Sequence, residues 1–497
     1  MSTTTASSSS TRAAAGAGIL FISQILGNAL YFLIQRTIIS ELPKESFGGL
    51  SFVQQTCSLL LVVIVDAGMN NIAVREILHH PDREPQIVAT SFWIRMGTSL
   101  ASVLLLSAFF LWNDASLVAV GMMCIAAMSV SGRMTMMRSS MELPLRAGMD
   151  YGLIAVLFLL DTALYAAAVW MYAGHLTPIT ILTLQALTAL PGFLILAVRV
   201  RALQILFPLP AIADIRHMLR QTRAVTSQLV LQNVHAGLDI FVLRFTSSLS
   251  ELAVFGAVAN ISVIILTLYN ALSTAVYPLL AQRDPSDDPS LTHARIVRSL
   301  SVVSFASMSV AAVLCALAPL IVRLFTKNTY IDHITEFQLQ FWCTVAIVLS
   351  QFVLVVNTAL NVHRAVLFSG VSLVLGSLMF DFLLIPGLGT RGMLIAKAAS
   401  NLLSAGVGLL FVARSIGSAP VLRFLVRLVP VGATLCIASM SILGPVPSVV
   451  PAALAITALS AVSGALSGMV TMSDVRLFTS MAARLMPRRN PRSTAQG

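Results

Sequence analysis

The stretch IQRTIISELPKESFGG, residues 34–49, decides how the chain is read. Arg36 closes one long apolar run, and Phe47-Gly48 opens the next. FVLRFTSSLSELAVFGAV, residues 241–258, repeats the arrangement. In both places an Arg (Arg36, Arg244) stands eleven residues before a Phe-Gly pair (Phe47-Gly48, Phe255-Gly256). The match extends backwards. Gln24, Asn28, Tyr31 and Gln35 fall at i, i+4, i+7 and i+11, and Gln228, Gln232, His235 and Asp239 repeat that spacing. Each set occupies one face of a helix. Aligning on the two arginines also pairs Gln24 with Gln232 and Tyr31 with Asp239.

Composition says where such helices live. Of 497 residues, 57% are apolar and 10% charged, whereas a soluble domain carries about 25% charged residues. Mean hydropathy is +0.88. The net charge of +11 is scattered between apolar blocks, so nucleic-acid binding, which needs a concentrated basic face, is excluded. The five cysteines (Cys57, Cys124, Cys315, Cys343, Cys436) lie far apart and read as small buried hydrophobes. The Ser/Thr-rich start, residues 1–15, reads as a disordered tail. The apolar run after it is too long for a signal peptide and reads as a retained first span.

A bilayer core takes roughly 20 apolar residues per helix. By that measure the spans are 16–40, 48–70, 89–112, 117–138, 151–173, 178–199, 225–247, 252–280, 299–325, 337–358, 366–386, 391–413, 421–443 and 450–471. The fold class is therefore all-α, a polytopic membrane protein of about fourteen transmembrane helices. With the N-terminus inside, the arginines crowd the inside segments, and the outside loops hold only Lys44, Lys327 and Arg391. The positive-inside rule thus places both termini in the cytoplasm. Spans one to six (16–199) and seven to twelve (225–413) read as parallel copies of one unit. An amphipathic basic linker (200–224) joins them, two extra spans (414–471) follow, and a basic tail (472–497) ends the chain.

Parallel repeats suggest a transporter with its pathway between the halves. Polar stripes then line that pathway, or they glue helices through hydrogen bonds. Arg36, Arg95, Arg133, Asp161, Asp239, Arg244, Arg323 and Lys397 fall inside the spans. Each costs roughly 2.5–3.5 kcal/mol at a helix centre. The arginines lie near span ends, from which they can reach the headgroups. The recurrence of Arg36 and Arg244 favours the pathway for that pair. Asp161 and Asp239 cannot reach out, so they are either ion-coupling sites or buried partners of a nearby base. The eighth span adds Asn260, Thr267, Asn270, Thr274 and Tyr277 along one face.

DAGMNNIAVREI (66–77), the two Arg…Phe-Gly stretches and IPGLGTRGMLIAKAASNLL (385–403) together resemble polysaccharide flippases. These form the oligosaccharide-lipid branch of the multidrug/oligosaccharidyl-lipid/polysaccharide exporter superfamily. One departure is the lack of a Tyr at 47–52 and 255–260. The resemblance implies two pseudo-symmetric six-helix lobes around a cavity, with two C-terminal helices. It implies a polyprenyl-pyrophosphate-linked oligosaccharide carried across a bacterial inner membrane, with membrane lipids and polysaccharide polymerase or chain-length proteins as partners. On this reading Arg36 and Arg244 take the pyrophosphate, since Arg offers phosphate two parallel hydrogen bonds. Gln24, Asn28, Tyr31, Gln35, Gln232, His235, Asn260, Asn270 and Lys397 complete the substrate set. Asp66, Gly68, Arg75 and Glu76, at a helix end, are assigned to structure or gating.

No Walker loop, HExxH, GxSxG or Cys/His metal spacing occurs in the sequence, so neither enzyme activity nor cofactor nor metal is expected. Two rivals remain. A cation-coupled drug or metabolite exporter of the same fold would favour mid-span carboxylates over Arg. A membrane polymerase or ligase would need a large outside loop.

Overall fold

The computed structural model describes residues 3–61, 69–131, 137–148, 150–201, 209–281, 289–360, 362–441 and 446–469. Helices fill the expected spans, and the described residues contain no strand. They are α1 (Thr3–Glu41), α2 (Lys44–Leu61), α3 (Met69–His79), α4 (Glu84–Asn113), α5 (Val118–Val130), α6 (Met137–Ala147), α7 (Tyr151–Met171) and α8 (Pro178–Arg199). After them come α9 (Ile212–Thr246), α10 (Leu249–Ala281), α11 (Pro289–Ala316), α12 (Ala318–Thr326), α13 (Ile334–Ala359), α14 (His363–Ile416), α15 (Ser418–Met440) and α16 (Val446–Ser467). Eight described segments, the first Pro81–Asn113 and the last Val449–Ser467, are long and apolar enough to cross a membrane on their own. The helices that carry the polar stripes, α1 and α9, fall outside that set.

Five boundaries differ from the sequence reading. The ninth span is broken at Leu317, between α11 and α12. Helix α1 reaches back to Thr3, through the tract expected to lack order. Its alanines (Ala13, Ala14, Ala15, Ala17) extend a helix already nucleated in the apolar run, and propagation is far easier than nucleation. The linker and seventh span form one helix, α9, because no Pro interrupts Ile212–Thr246. Spans eleven and twelve run together as α14 through a kink at Gly389 (φ 53°, ψ −131°). Pro386 removes a backbone donor just before it, and the left-handed φ at 389 suits Gly. The helix of the fourth span stops at Val130, where Ser131 is extended. The basic tail 472–497 lies outside the described residues.

In one lobe α1 packs on α7, α7 on α8, α8 on α5, and α5 on α4 and α2. In the other, α14 packs on α9 and α13, and α13 on α10 and α11. Helices α15 and α16 lean on α11. The lobes meet chiefly where α2 crosses α10. There the repeated Phe-Gly pairs explain themselves. A Cβ on Gly48 would collide with the backbone of α10 at Leu249, with Ala253 N also only 3.2 Å away. A Cβ on Gly256 would collide with the Ser51 hydroxyl on α2, and it would lie 3.2 Å from the Phe47 ring. Each Gly receives the other repeat's helix. Small residues allow such close crossings in lipid.

Gly48→Ala should therefore lower stability by about 1–3 kcal/mol, the usual cost of overpacking. Gly97→Ala, on α4 with nothing within 4 Å, should be neutral or slightly stabilising. Thermal unfolding of the two variants in detergent measures the contrast.

Candidate functional site

The end of the molecule that carries the Phe-Gly pairs holds two matched contacts between lobes. In the first, α1 reaches α12. Phe32 packs on Phe325 in a tilted pair with ring centroids 4.5 Å apart, and Arg36 Nε donates to the Leu324 carbonyl at 2.8 Å. In the second, α9 reaches the end of α4. Phe241 meets Phe109 edge-on at 5.8 Å, and Arg244 approaches the Asp114 carboxylate at 3.6 Å. The Arg244 guanidinium also stands 5.9 Å over the Phe52 ring, a cation–π placement. Phe52 in turn touches Phe110 and Phe241. In each repeat, the first helix thus sends a Phe and an Arg to the far end of the other repeat's third span.

Further polar contacts gather at the same end. Lys327 Nζ donates to Glu41 at 2.7 Å, and the Lys44 ammonium lies 5.2 Å over the Tyr330 ring. At the α14 kink, Thr390 N donates to Glu251 at 2.9 Å and Arg391 Nε to Glu336 at 2.9 Å. The opposite end has a smaller clasp. Arg83 pairs with Asp214 at 3.0 Å, Gln86 donates to the same carboxylate, and Arg75 reaches Gln221 at 3.4 Å. Helix α9 therefore touches the first lobe at both of its ends.

The in-span charges lie inside the lobes. Lys397 Nζ donates to Asp239 Oδ2 at 2.6 Å, with Asp239 only 1% exposed, and stands 5.3 Å over the Phe255 ring. Asn401 faces His235 Nε2 at 3.2 Å. In the other lobe Asp161 bonds Arg138, which also lies 3.4 Å from Glu142; Glu142 is held by Arg146 at 2.7 Å. Arg95 is wholly buried and donates to Ser140 and Asn70, so it does not reach for headgroups as expected. The helix turn around Ser140 supplies acceptors that a headgroup would otherwise give. Arg323 is exposed, and Arg133 lies outside the described residues.

The polar stripe of α1 divides. Gln24 is exposed, Asn28 half-buried and Gln35 buried. Tyr31 joins Asp161, Thr162, Gln185 and Thr188 around a small pocket within its own lobe rather than between lobes. Asn260 donates back to the Gly256 carbonyl at 2.8 Å, and Asn270 is exposed. Glu76 lines a hollow with Arg83, Asp214 and His217. The side chains of Gln228, Gln232, Thr267, Thr274 and Tyr277, and residues Asp66 and Gly68, lie outside those described. Sequence reasoning missed the partners Asp114, Leu324 and Phe325. The signal was present, since Phe109-Phe110 and Leu324-Phe325 close the third and ninth spans.

The family described as "Polysaccharide biosynthesis protein" matches residues 13–283, more than half of the chain. The chain belongs to that family. No curated protein matches it by sequence. The fold is shared with solved structures. "Lipid II flippase MurJ, inward closed conformation" superposes with a TM-score of 0.62 at 12% identity, covering 89% of this chain and 98% of that one. An inward-facing multidrug resistance MATE family transporter of the MOP superfamily superposes at 0.58 and 17% identity, covering 82% and 98%. A MOP superfamily transporter from Pyrococcus furiosus gives 0.53 and 14%, covering 82% and 95%. The protein is thus a multi-pass membrane protein with the MOP-superfamily fold.

Arg138→Met should strand Asp161 in the bilayer and cost about 3–5 kcal/mol. Adding Asp161→Asn should recover most of that. Lys327→Ala, which removes an exposed pair, should cost below about 1 kcal/mol. Denaturation of each variant in detergent gives the ranking.

Proposed function

We propose that this protein flips a polyprenyl-pyrophosphate-linked oligosaccharide from the cytoplasmic to the outer leaflet of a bacterial inner membrane. The product feeds a surface polysaccharide such as exopolysaccharide or O-antigen. One observation carries the reading: two basic side chains at matched places, Arg36 and Arg244, each holding the opposite lobe at the same end. With both termini cytoplasmic, that end is the outer one, and the contacts form an outward gate. Membership of a polysaccharide biosynthesis family supports the cargo class.

The chemistry suits that cargo. A pyrophosphate bearing sugars cannot enter hydrocarbon, while its prenyl chain can stay there. Arg36 here gives one N–H to a backbone carbonyl, and Arg244 faces a carboxylate at 3.6 Å. Both attachments are modest beside a bidentate bond to phosphate. As the lobes part at this end, each guanidinium loses its protein partner and turns to the headgroup. Exchanging one acceptor for a better one lets the anionic head itself favour opening. Gln24, Asn28, Gln35, Gln232, Asn260 and Asn270 then offer hydrogen bonds to sugar hydroxyls. The C-terminal pair α15 and α16 lies outside the two lobes, where a lipid chain would pass. Arg75 and Glu76 belong to the cytoplasmic clasp and act on closure rather than on cargo.

Arg36→Gln and Arg244→Gln should each lower surface polysaccharide about tenfold or more at normal protein levels, because one charge-assisted hydrogen bond contributes about 1.5–3 kcal/mol. Quantifying the glycan in a strain that depends on this gene tests it. Full export by the double variant would overturn the role of both arginines. Drug resistance gained without any change in glycan would favour the exporter alternative.

A further inference from the structure

The buried charges of the second lobe do not balance. Helices α9, α13 and α14 enclose two carboxylates, Asp239 and Asp381, and one ammonium, Lys397. The ammonium is spent on Asp239, with Nζ 2.6 Å from Oδ2. Asp381 is wholly buried on the first arm of α14. Its Oδ2 accepts the Ser377 hydroxyl at 2.8 Å, and its Oδ1 has no hydrogen-bond partner among the described residues. It remains within electrostatic reach of both Asp239 and Lys397.

Among the described residues, no second cation pairs with either carboxylate. Cys343 on α13 is a buried thiol. Asn401, on α14, has its amide nitrogen 3.2 Å from Nε2 of His235 on α9, and that nitrogen also donates to the Lys397 carbonyl. His235 Nδ1 is buried with no hydrogen-bond partner among the described residues, so a doubly protonated ring would strand an N–H, and the imidazole is neutral. Two ionised carboxylates against one ammonium would leave a net negative charge in a medium that penalises bare charge heavily. The site reaches neutrality with one proton.

We infer that Asp381 is a proton-binding site, and that Lys397 is a tethered cation shared between Asp239 and Asp381. With Asp381 protonated, Lys397 rests on Asp239, as observed. When the Asp381 O–H bond breaks and the proton passes to water, two carboxylates compete for one ammonium. Lys397 is then drawn toward Asp381, and the α9–α14 attachment loosens. Asp239 lies on the same helix as Arg244, five residues earlier. A change at Asp239 is therefore carried along α9 to the outer contact with Asp114. Because Lys397 already serves as the counter-ion of Asp239, the species left to exchange at Asp381 is a proton. The inference deepens the transport reading and rests on it.

Infrared spectroscopy of the full-length protein in phosphatidylethanolamine–phosphatidylglycerol vesicles tests it without substrate. At neutral pH the wild type should show the carbonyl band of a protonated carboxylic acid. Asp161→Asn should keep the band and Asp381→Asn should lose it. Asp381→Glu, a fallback if the Asn variant does not insert, should keep it at a shifted frequency. Asp239→Asn decides the sharing. With one carboxylate gone, Lys397 should fall to Asp381 and the band should vanish. A band that survives Asp381→Asn, or no band in the wild type, overturns the proton site. A band that survives Asp239→Asn overturns the sharing. Because the spectrum needs no cargo, these failures leave the flippase reading standing. Normal spectra with no change in glycan on deleting the gene would instead overturn the flippase reading and not the proton site.

Discussion

Two helices cross with no room for a side chain at the crossing, and the rest of the molecule is arranged around that constraint. Gly48 accepts the backbone of α10, and Gly256 accepts Ser51 of α2. Because the lobes touch there so closely, the Phe32–Phe325 and Phe52–Phe110–Phe241 ring contacts can form on either side of it. Arg244 then lies over the Phe52 ring, and Arg36 donates to Leu324, the residue before Phe325. Remove the close approach and the rings stand apart. The guanidiniums lose Leu324 and Asp114 at the same stroke. The Arg…Phe-Gly signature thus belongs to one device used twice. Its spacing follows from the geometry of a helix end, a short turn and the first turns of the next helix.

That signature was open to reading because it is local. Eleven residues fix the distance from the charge to the crossing, and hydropathy fixes the spans, so the order of the helices could be drawn from the chain alone. What the Phe-Gly pairs touch was not open. The partners of Arg36 and Arg244 lie hundreds of residues away or on the other lobe, and Leu324 contributes a backbone carbonyl that carries no sequence signal. Arg95 shows the same limit. Its place near a span end suggested the headgroups, yet Ser140 and Asn70 satisfy it inside the protein. Asp381 escaped notice for a different reason. It sits near the end of an apolar span, where a carboxylate ordinarily faces water, and only the packing of α14 against α9 and α13 buries it. Asp161 and Asp239 had two readings, and both turn out to have a basic partner, Arg138 and Lys397.

The charges sort by depth, and the sorting separates rigid from movable parts. Arg138 with Asp161 and Lys397 with Asp239 bind helices deep within a lobe and are buried, whereas Arg391 with Glu336, at the α14 kink, is partly solvated. Breaking a buried pair by separation would expose an unpaired charge to lipid, at a cost of several kcal/mol. Pairs that bind one lobe to the other sit at the ends and are partly solvated: Arg244 with Asp114, Lys327 with Glu41, Arg83 with Asp214. Water replaces such contacts at little cost, about 0–1 kcal/mol each.

It follows that the weak joints of the molecule are the ones between lobes, so each lobe should move as a body. Helix α9 takes part in both kinds of contact. One end holds Asp114, Asp239 near that same end holds Lys397, and the other end holds Arg83. The two end contacts attach it to the first lobe, while the Lys397 contact ties it to the second. The crossing of α2 and α10 lies at the Arg244 end, so a rotation of one lobe about it moves the Arg83–Asp214 contact farther than the Arg244–Asp114 contact. The buried Lys397–Asp239 pair lies between those two contacts, nearer the Arg244 one.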